Sequence, residues 1–290
     1  MPVETKIDRR TTILVMYTLL AIFALITLMP FFYLLCSAFK TKEAFFSSHF
    51  LPRGSGFLGI DWGGLTLDHF RVLFTDPSLR FGRSVLNSVF LASVSSIFAT
   101  LFSAMGGYAL AKFSFRGNKI ITGIVLASLI VPGPLLLAPG YQLIYRLGLL
   151  DSFAGLIIPG LAPAFGVFLF RQAMKNSIPT DLMEAARIDG CGEIRMFFIV
   201  ILPLIRPMVG AFLLITFLGA WNNFIGPQII LQTPERFPLA VSIAQLKGLY
   251  GTDYGLLMAG TLVSILPVMC LFLLLQKDFI SGLTAGAVKG

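Results

Sequence analysis

Six stretches of this chain are apolar over about the length a helix needs to cross a bilayer: residues 13–39, 84–111, 120–145, 153–170, 207–231 and 256–275. An α-helix rises about 1.5 Å per residue, so roughly 20 mostly apolar residues reach across the hydrocarbon layer. Such a pattern constrains the fold before any motif is considered, because no soluble core accommodates so many long apolar helices. Across 290 residues, 56% are hydrophobic and 12% charged, and the mean hydropathy is +0.86. The expected fold class is therefore an all-α integral membrane protein of six transmembrane helices. Lys6, Arg9 and Arg10 precede the first block in the manner of a signal peptide, but the block is longer than a typical signal core and reads as an uncleaved anchor.

Charge placement orients the spans. Six crossings put both termini on one side, and with the termini in the cytoplasm 13 of the 22 Lys and Arg residues fall inside. Of the other nine, six lie in one long outer segment, 40–83: Lys40, Lys42, Arg53, Arg71, Arg80 and Arg83. The net charge of +8 is scattered singly between apolar blocks, with no stripe to follow a nucleic-acid backbone, so no nucleic-acid partner is expected. Cys36, Cys191 and Cys270 are widely separated and give neither a disulfide framework nor metal-ligand spacing.

Within the outer segment, Gly54-x-Gly56-x-x-Gly59 matches a dinucleotide fingerprint in letters only. No strand precedes it and no βαβ unit surrounds it, so it reads as a turn. Downstream, Leu67, Phe70, Leu73 and Phe74 fall on one helical face behind Thr66, which predicts a short helix on the outer membrane surface. His49 and His69 read as solvated or capping groups. In the third apolar block, Pro132, Gly133, Pro134 and Pro139 break the backbone ladder and predict a bend, either lining a cavity or serving packing.

The polar insert 177–206 lies between two apolar blocks. Asp181-x-x-Glu184 has capping-box spacing and predicts a first helix with Asp181 as its cap. Gly190 is placed to end that helix in a left-handed conformation. A second helix over 192–202 is expected to stop at Pro203, with Ile194, Phe197, Phe198 and Ile201 as its buried face. Two short helices meeting at a glycine form a compact knob.

The run Glu184-Ala185-Ala186-Arg187-Ile188-Asp189-Gly190, followed by Phe197, Leu202-Pro203 and Pro207, resembles the cytoplasmic loop of permease subunits of binding-protein-dependent ABC importers. Further likeness to the smaller permease of the carbohydrate-uptake class, the maltose-transporter type, comes from Asn87-Ser88, Val131-Pro132, Phe168-Leu169-Phe170-Arg171-Gln172, Trp221-Asn222 and the tail from Gly282 to Gly290. The resemblance implies a coupling-helix loop at Glu184, Ala185, Ala186, Asp189 and Gly190 that docks in a cleft of a cytoplasmic ATPase. It also implies a second permease subunit, two ATPase subunits carrying ATP and Mg, an extracytoplasmic sugar-binding protein, and residence in a bacterial inner membrane. The tail 277–290 would lie on the ATPase side.

The chain carries no Gly-x-x-x-x-Gly-Lys-[Ser/Thr] sequence, so the energy of ATP must come from another polypeptide and the chain itself is expected to be non-enzymatic, with no cofactor or metal. The rivals are an ion-coupled secondary transporter and a channel or scaffold subunit. All 14 acidic residues lie outside the six blocks, which leaves proton coupling without an obvious carrier. Gly106-Gly107 with Ser93, Ser95, Ser96 and Ser103 is compatible with close helix packing and does not require a channel. For the substrate path, Trp221, Asn222 and Asn223 offer an aromatic face and neutral amides suited to a sugar. Asn223 stands where relatives commonly carry Glu. With the basic outer segment, this points to an anionic oligosaccharide such as an alginate-like uronate chain.

Overall fold

The computed structural model describes residues 9–248 and 252–287, with side chains over 10–248 and 252–277. Lys6 and the last tail residues, 288–290, therefore lie outside the described residues. Two compact units emerge, one drawn from Met1–Ser78 and Gln245–Val263, the other from Leu79–Ala244 and Ser264–Gly290.

In the first unit, α1 (Arg9–Ala38) is a single helix whose side chains are exposed along most of its length, as an apolar helix without a protein partner must be. Its end is organised by Lys40, which is fully buried. The Lys40 ammonium donates to the carbonyls of Ser48 at 2.8 Å and His49 at 2.9 Å and sits over the Tyr33 ring. Burial pushes the Lys40 amine below its ordinary range, with a smaller opposing influence from Cys36. His69 bridges to the Lys40 carbonyl oxygen at 2.8 Å, so it is a structural cap. Between lie α2 (Lys42–Ser47) and the glycine turn, which closes through Gly54 N–H to Gly59 O and an Arg53–Ile60 bridge. The expected outer helix is α3 (Asp68–Thr75). Thr66 accepts from the Asp68 N–H at 3.0 Å, and Leu73 is the buried residue of the face, while Leu67 and Phe74 stay exposed.

In the second unit, α4 (Phe81–Lys112) is the central helix. It presents Ser88, Ala92, Ser96, Ala99, Ser103 and Gly107 as one buried stripe of small residues. The chain then runs through α5 (Asn118–Ser128), α6 (Leu137–Arg146), α7 (Phe153–Ile157), α8 (Ala164–Ser177), α9 (Thr180–Ile188), α10 (Glu193–Met196), α11 (Leu202–Leu204), α12 (Arg206–Trp221), α13 (Ile225–Ile230) and α14 (Leu239–Gln245). Both α8 and α12 pack along α4. Small residues make this possible: a Cβ on Gly166 would lie 2.4 Å from Ser103 Oγ and 2.4 Å from the Phe212 ring, and one on Gly107 would lie 2.7 Å from Phe170 Cβ. The last helix, α15, covers Tyr254–Ala287.

Four helical segments are long and apolar enough to cross a membrane, and two bent pairs bring the number to six if each pair is one span. The third block is not one continuous helix. Pro132 and Pro134 split it into α5 and a segment over Gly133–Arg146 set at 100° to it. Prolines without N–H groups interrupt the ladder there, and Ile130, Val131 and Leu135 around the break are exposed. The fifth block likewise ends its main helix at Trp221 and resumes as the short α13.

Candidate functional site

The knob is built from α8 through α12. Phe170 and Met174 of α8, Met183 of α9, Met196 and Phe197, and Phe212 of α12 are all buried in one apolar cluster. That cluster fixes the knob to the spans through side chains rather than through the connecting loop alone. At about 25 cal/mol per Å2 of apolar area, each such fully buried side chain contributes on the order of 2 kcal/mol.

Helix α9 begins two residues earlier than the capping box predicts. Pro179 is extended at φ −64°, ψ 143°, and Thr180 is already helical, which puts Asp181 in the first turn with no side-chain cap bond. The cause is local. Ile178 precedes a proline and is held extended, so the chain enters the helix directly after the ring. Asp181 still places negative charge at the helix N-terminus. Glu184 makes no hydrogen bond among the described residues, so its side chain is not consumed in a cap.

The C-terminal end of α9 folds as the sequence predicts. Gly190 has φ +78°, Cys191 N–H donates to Ala186 O at 2.9 Å, and Gly190 N–H donates to Arg187 O at 3.0 Å. This pair of bonds is the Schellman arrangement that a left-handed glycine permits. The second helix differs from expectation. Instead of stopping at Pro203, it passes through a π-helical turn, Phe197–Ile201, in which Leu202 N–H reaches back to Phe197 O, and it runs to Leu204. The wider turn shifts the register, so Met196, Phe197 and Ile201 are buried while Ile194 and Phe198 are exposed. The helical segments Glu193–Leu204 and Arg206–Trp221 meet at 86°.

A polar chain ties the knob to the central helix. Tyr108 of α4 donates to Glu193 Oε2 at 2.9 Å, and Arg187 Nε donates to Glu193 Oε1 at 2.9 Å. One carboxylate at the start of α10 thus joins the end of α9 to a span 85 residues away in sequence. Lys112, at the end of the same span, donates to the Ile178 carbonyl just before α9. Spacing within the insert gave no sign of these links, because Tyr108 and Lys112 lie outside it.

With the knob braced from below, its other side is open. Glu184, Ala185, Asp189 and Gly190 are exposed together, and Ile188 between them is 86% exposed. Ala186 faces the other way, half-buried against the apolar cluster.

A second feature is a cavity of about 380 Å3 among α4, α7, α8 and α12. Ser95, Thr216 and Asn223 are the hydrogen-bonding side chains on its wall, Phe165 and Phe212 supply rings, and no charged residue lines it. Asn223 caps α13 by accepting from Gly226 N–H at 3.2 Å. Trp221 is elsewhere: it is buried and stacked on Phe217, with centroids 5.7 Å apart and planes at 15°. Asn222 is exposed but does not line the cavity. Of the three predicted path residues, the structure brings only Asn223 to it.

Residues 103–277 match the family described as the binding-protein-dependent transport system inner membrane component. The chain belongs to this family. The permease is 38% identical over 267 residues to the arabinooligosaccharides transport system permease protein AraQ of Bacillus subtilis (strain 168), covering 92% of each chain. It is 30% identical over 287 residues to the lactose transport system permease protein LacG of Rhizobium radiobacter, covering 98% of this chain and 99% of that protein. Among solved structures, it is similar to a chain of a bacterial ABC transporter involved in the import of the acidic polysaccharide alginate. The TM-score is 0.78 at 26% identity, over 96% of this chain and 100% of that one.

The Asn87-Ser88 pair at the head of α4 also acquires a role. Asn87 donates to the carbonyls of Glu235 at 2.9 Å and Phe237 at 3.1 Å, and Ser88 accepts from Leu239 N–H at 2.7 Å. Arg80 pairs with Glu235 at 2.8 Å, and Ser84 bonds to Ser242. Together these bonds stitch the segment before α14 onto the permease's central span. Among the described residues no cluster of His, Cys, Asp and Glu is arranged to hold a metal ion.

Proposed function

We propose that this permease passes an oligosaccharide into the cytoplasm of a bacterium, driven by ATP hydrolysis on two separate ATPase subunits. A second permease forms the other half of the pathway, and an extracytoplasmic binding protein delivers the sugar. Both termini and the knob face the cytoplasm. The carrying observation is the two-sided construction of the knob: its inner side is locked to α4 and α12, and its outer side presents Glu184, Ala185, Ile188, Asp189 and Gly190 to a partner. An exposed isoleucine flanked by two carboxylates suits a cleft with an apolar floor and basic rim. Nucleotide-driven closure of the ATPases would move the knob as a rigid body and rock the attached spans, exposing the pathway alternately.

The test is transport by the full complex in proteoliposomes. Gly190→Pro removes the N–H donated to Arg187 and cannot adopt φ +78°. Uptake and transport-linked ATP hydrolysis are expected to be lost while the complex still assembles in the membrane. Unchanged uptake, or uptake without nucleotide, would overturn the reading in favour of an ion-coupled transporter or a channel.

For the cargo, the finer reading is an anionic oligosaccharide of the alginate type. Its support is a cavity free of carboxylates, with Asn223 on its wall, and the structural neighbour that imports an acidic polysaccharide. Basic residues of the outer segment add less than their number suggests, because Lys40 is buried on carbonyls and Arg80 is paired with Glu235. The apolar cavity wall and the arabinooligosaccharide relative favour a neutral oligosaccharide as the second reading. Competition of labelled uptake by uronate, arabinose and galactose oligomers separates them, since only the true cargo class abolishes the signal at low concentration.

A further inference from the structure

We infer that the permease holds an anionic phospholipid headgroup in an open basic pocket between the end of α8 and the turn joining α4 to α5. The pocket, about 760 Å3, is lined by Arg116 of the turn, Lys119 at the start of α5, and Arg171 and Lys175 of α8. No acidic side chain lines it, and among the described residues none of the four cations is ion-paired. Arg171 Nη1 settles for the neutral amide oxygen of Gln172 at 3.1 Å, and Arg171 Nε is buried with no hydrogen-bond partner. A buried guanidinium nitrogen without an acceptor is costly, and four like charges around one opening repel, so the site is incomplete without an anion.

The turn is shaped in advance. Gly117 takes φ +94°, and Asn118 donates to the carbonyls of Leu110 at 3.2 Å and Phe113 at 3.0 Å, which fixes the end of α4 against the start of α5. The same wall carries exposed apolar side chains, Phe115 and Ile120. A phosphate alone would satisfy the cations and leave this apolar rim unused. A phosphodiester headgroup continuing into a glycerol and acyl chain uses both. Position agrees, because α4 and α8 both end and α5 begins here, where spanning segments pass from hydrocarbon to headgroups.

The experiment uses the complete transporter in nanodiscs of phosphatidylcholine with a minor fraction of phosphatidylglycerol, and reads retained lipid by native mass spectrometry. Wild type is expected to retain phosphatidylglycerol in preference to phosphatidylcholine. Each basic residue near a lipid surface contributes enough to change retention about five-fold, so Arg171→Gln and Lys119→Gln are each expected to lower it by about that factor. Lys119 is exposed at the start of α5, so its variant decides the matter if Arg171→Gln fails to assemble. Equal retention of the two lipids, unchanged retention in the Lys119 variant, displacement by inorganic phosphate at equal molarity, or cross-linking of Lys119 to an acidic segment of a partner subunit would each overturn the inference. Gly190→Pro leaves the pocket intact, so lost transport in that variant with normal lipid retention keeps the two proposals separate.

Discussion

Gly107 and Gly166 let α4 and α8 pack closely together, and their role differs from that of Gly190. At the first two, the constraint is space: an added Cβ meets Phe170, Phe212 or Ser103 inside any normal contact distance. At Gly190 nothing lies within 4 Å, and the constraint is the backbone angle. Gly107→Ala or Gly166→Ala is expected to push the packed helices apart at a cost of about 1–3 kcal/mol, lowering the melting temperature of the purified permease. Neighbouring Gly106 has its nearest side chain at an ordinary 3.4 Å, so Gly106→Ala serves as the near-neutral control. That the Gly106-Gly107 pair suits close helix packing was legible in the sequence; Gly166 was not singled out there. Which of the two adjacent glycines bears the contact was not legible, because that depends on the rotation of α4 about its axis.

Two latches join elements remote in the chain. In the knob, removing one hydroxyl by Tyr108→Phe deletes the bond to Glu193, worth about 1 kcal/mol at a half-exposed carboxylate. The expected result is a folded permease whose ATP hydrolysis is less tightly coupled to uptake, measured as a higher ratio of nucleotide spent to sugar moved. The other latch is Asp151, before α7. Its carboxylate accepts from the Thr233 hydroxyl, the Thr233 N–H at 3.0 Å and the Gln232 N–H at 2.9 Å, and it pairs with Arg236 at 2.9 Å. Those bonds, led by the Thr233 hydroxyl, hold its pKa down to about 2 from an ordinary 3.8. A depressed carboxylate stabilises the folded form above its unfolded value and loses that contribution as pH falls through the folded one. The segment 231–237 is therefore expected to stay protected from hydrogen exchange down to about pH 4 and to open between about pH 4 and 2. Asp151→Asn, which tolerates the local φ of +52°, is expected to open it at neutral pH.

At the scale of the whole molecule, exposed apolar surface dominates. Side chains of α1 from Ile13 to Leu35 face outward along its length, which lipid satisfies. The cavity beside α12 is partly open, and in the proposed reading the second permease would complete its wall. Expressed without the second permease, the chain is expected to accumulate to several-fold lower levels in membranes, and a tag on it is expected to copurify the second permease and the ATPase. Recovery of a stable lone chain at full yield would count against the assembly. The sequence by itself determined that this is an all-helical membrane chain, that the insert is a two-helix knob hinged at Gly190, and that small residues line α4. Each of those follows from local composition, from span length, or from a backbone angle only glycine adopts readily. Tertiary structure alone decided the 100° break of the third block, the burial of Trp221 against Phe217, the inward turn of Ala186 and the bonds from Tyr108 and Asp151. Proline announces an interruption without giving its angle, and an aromatic ring is equally at home in a core or on a path. Bonds between groups 81 to 85 residues apart exist only once packing has brought their helices together.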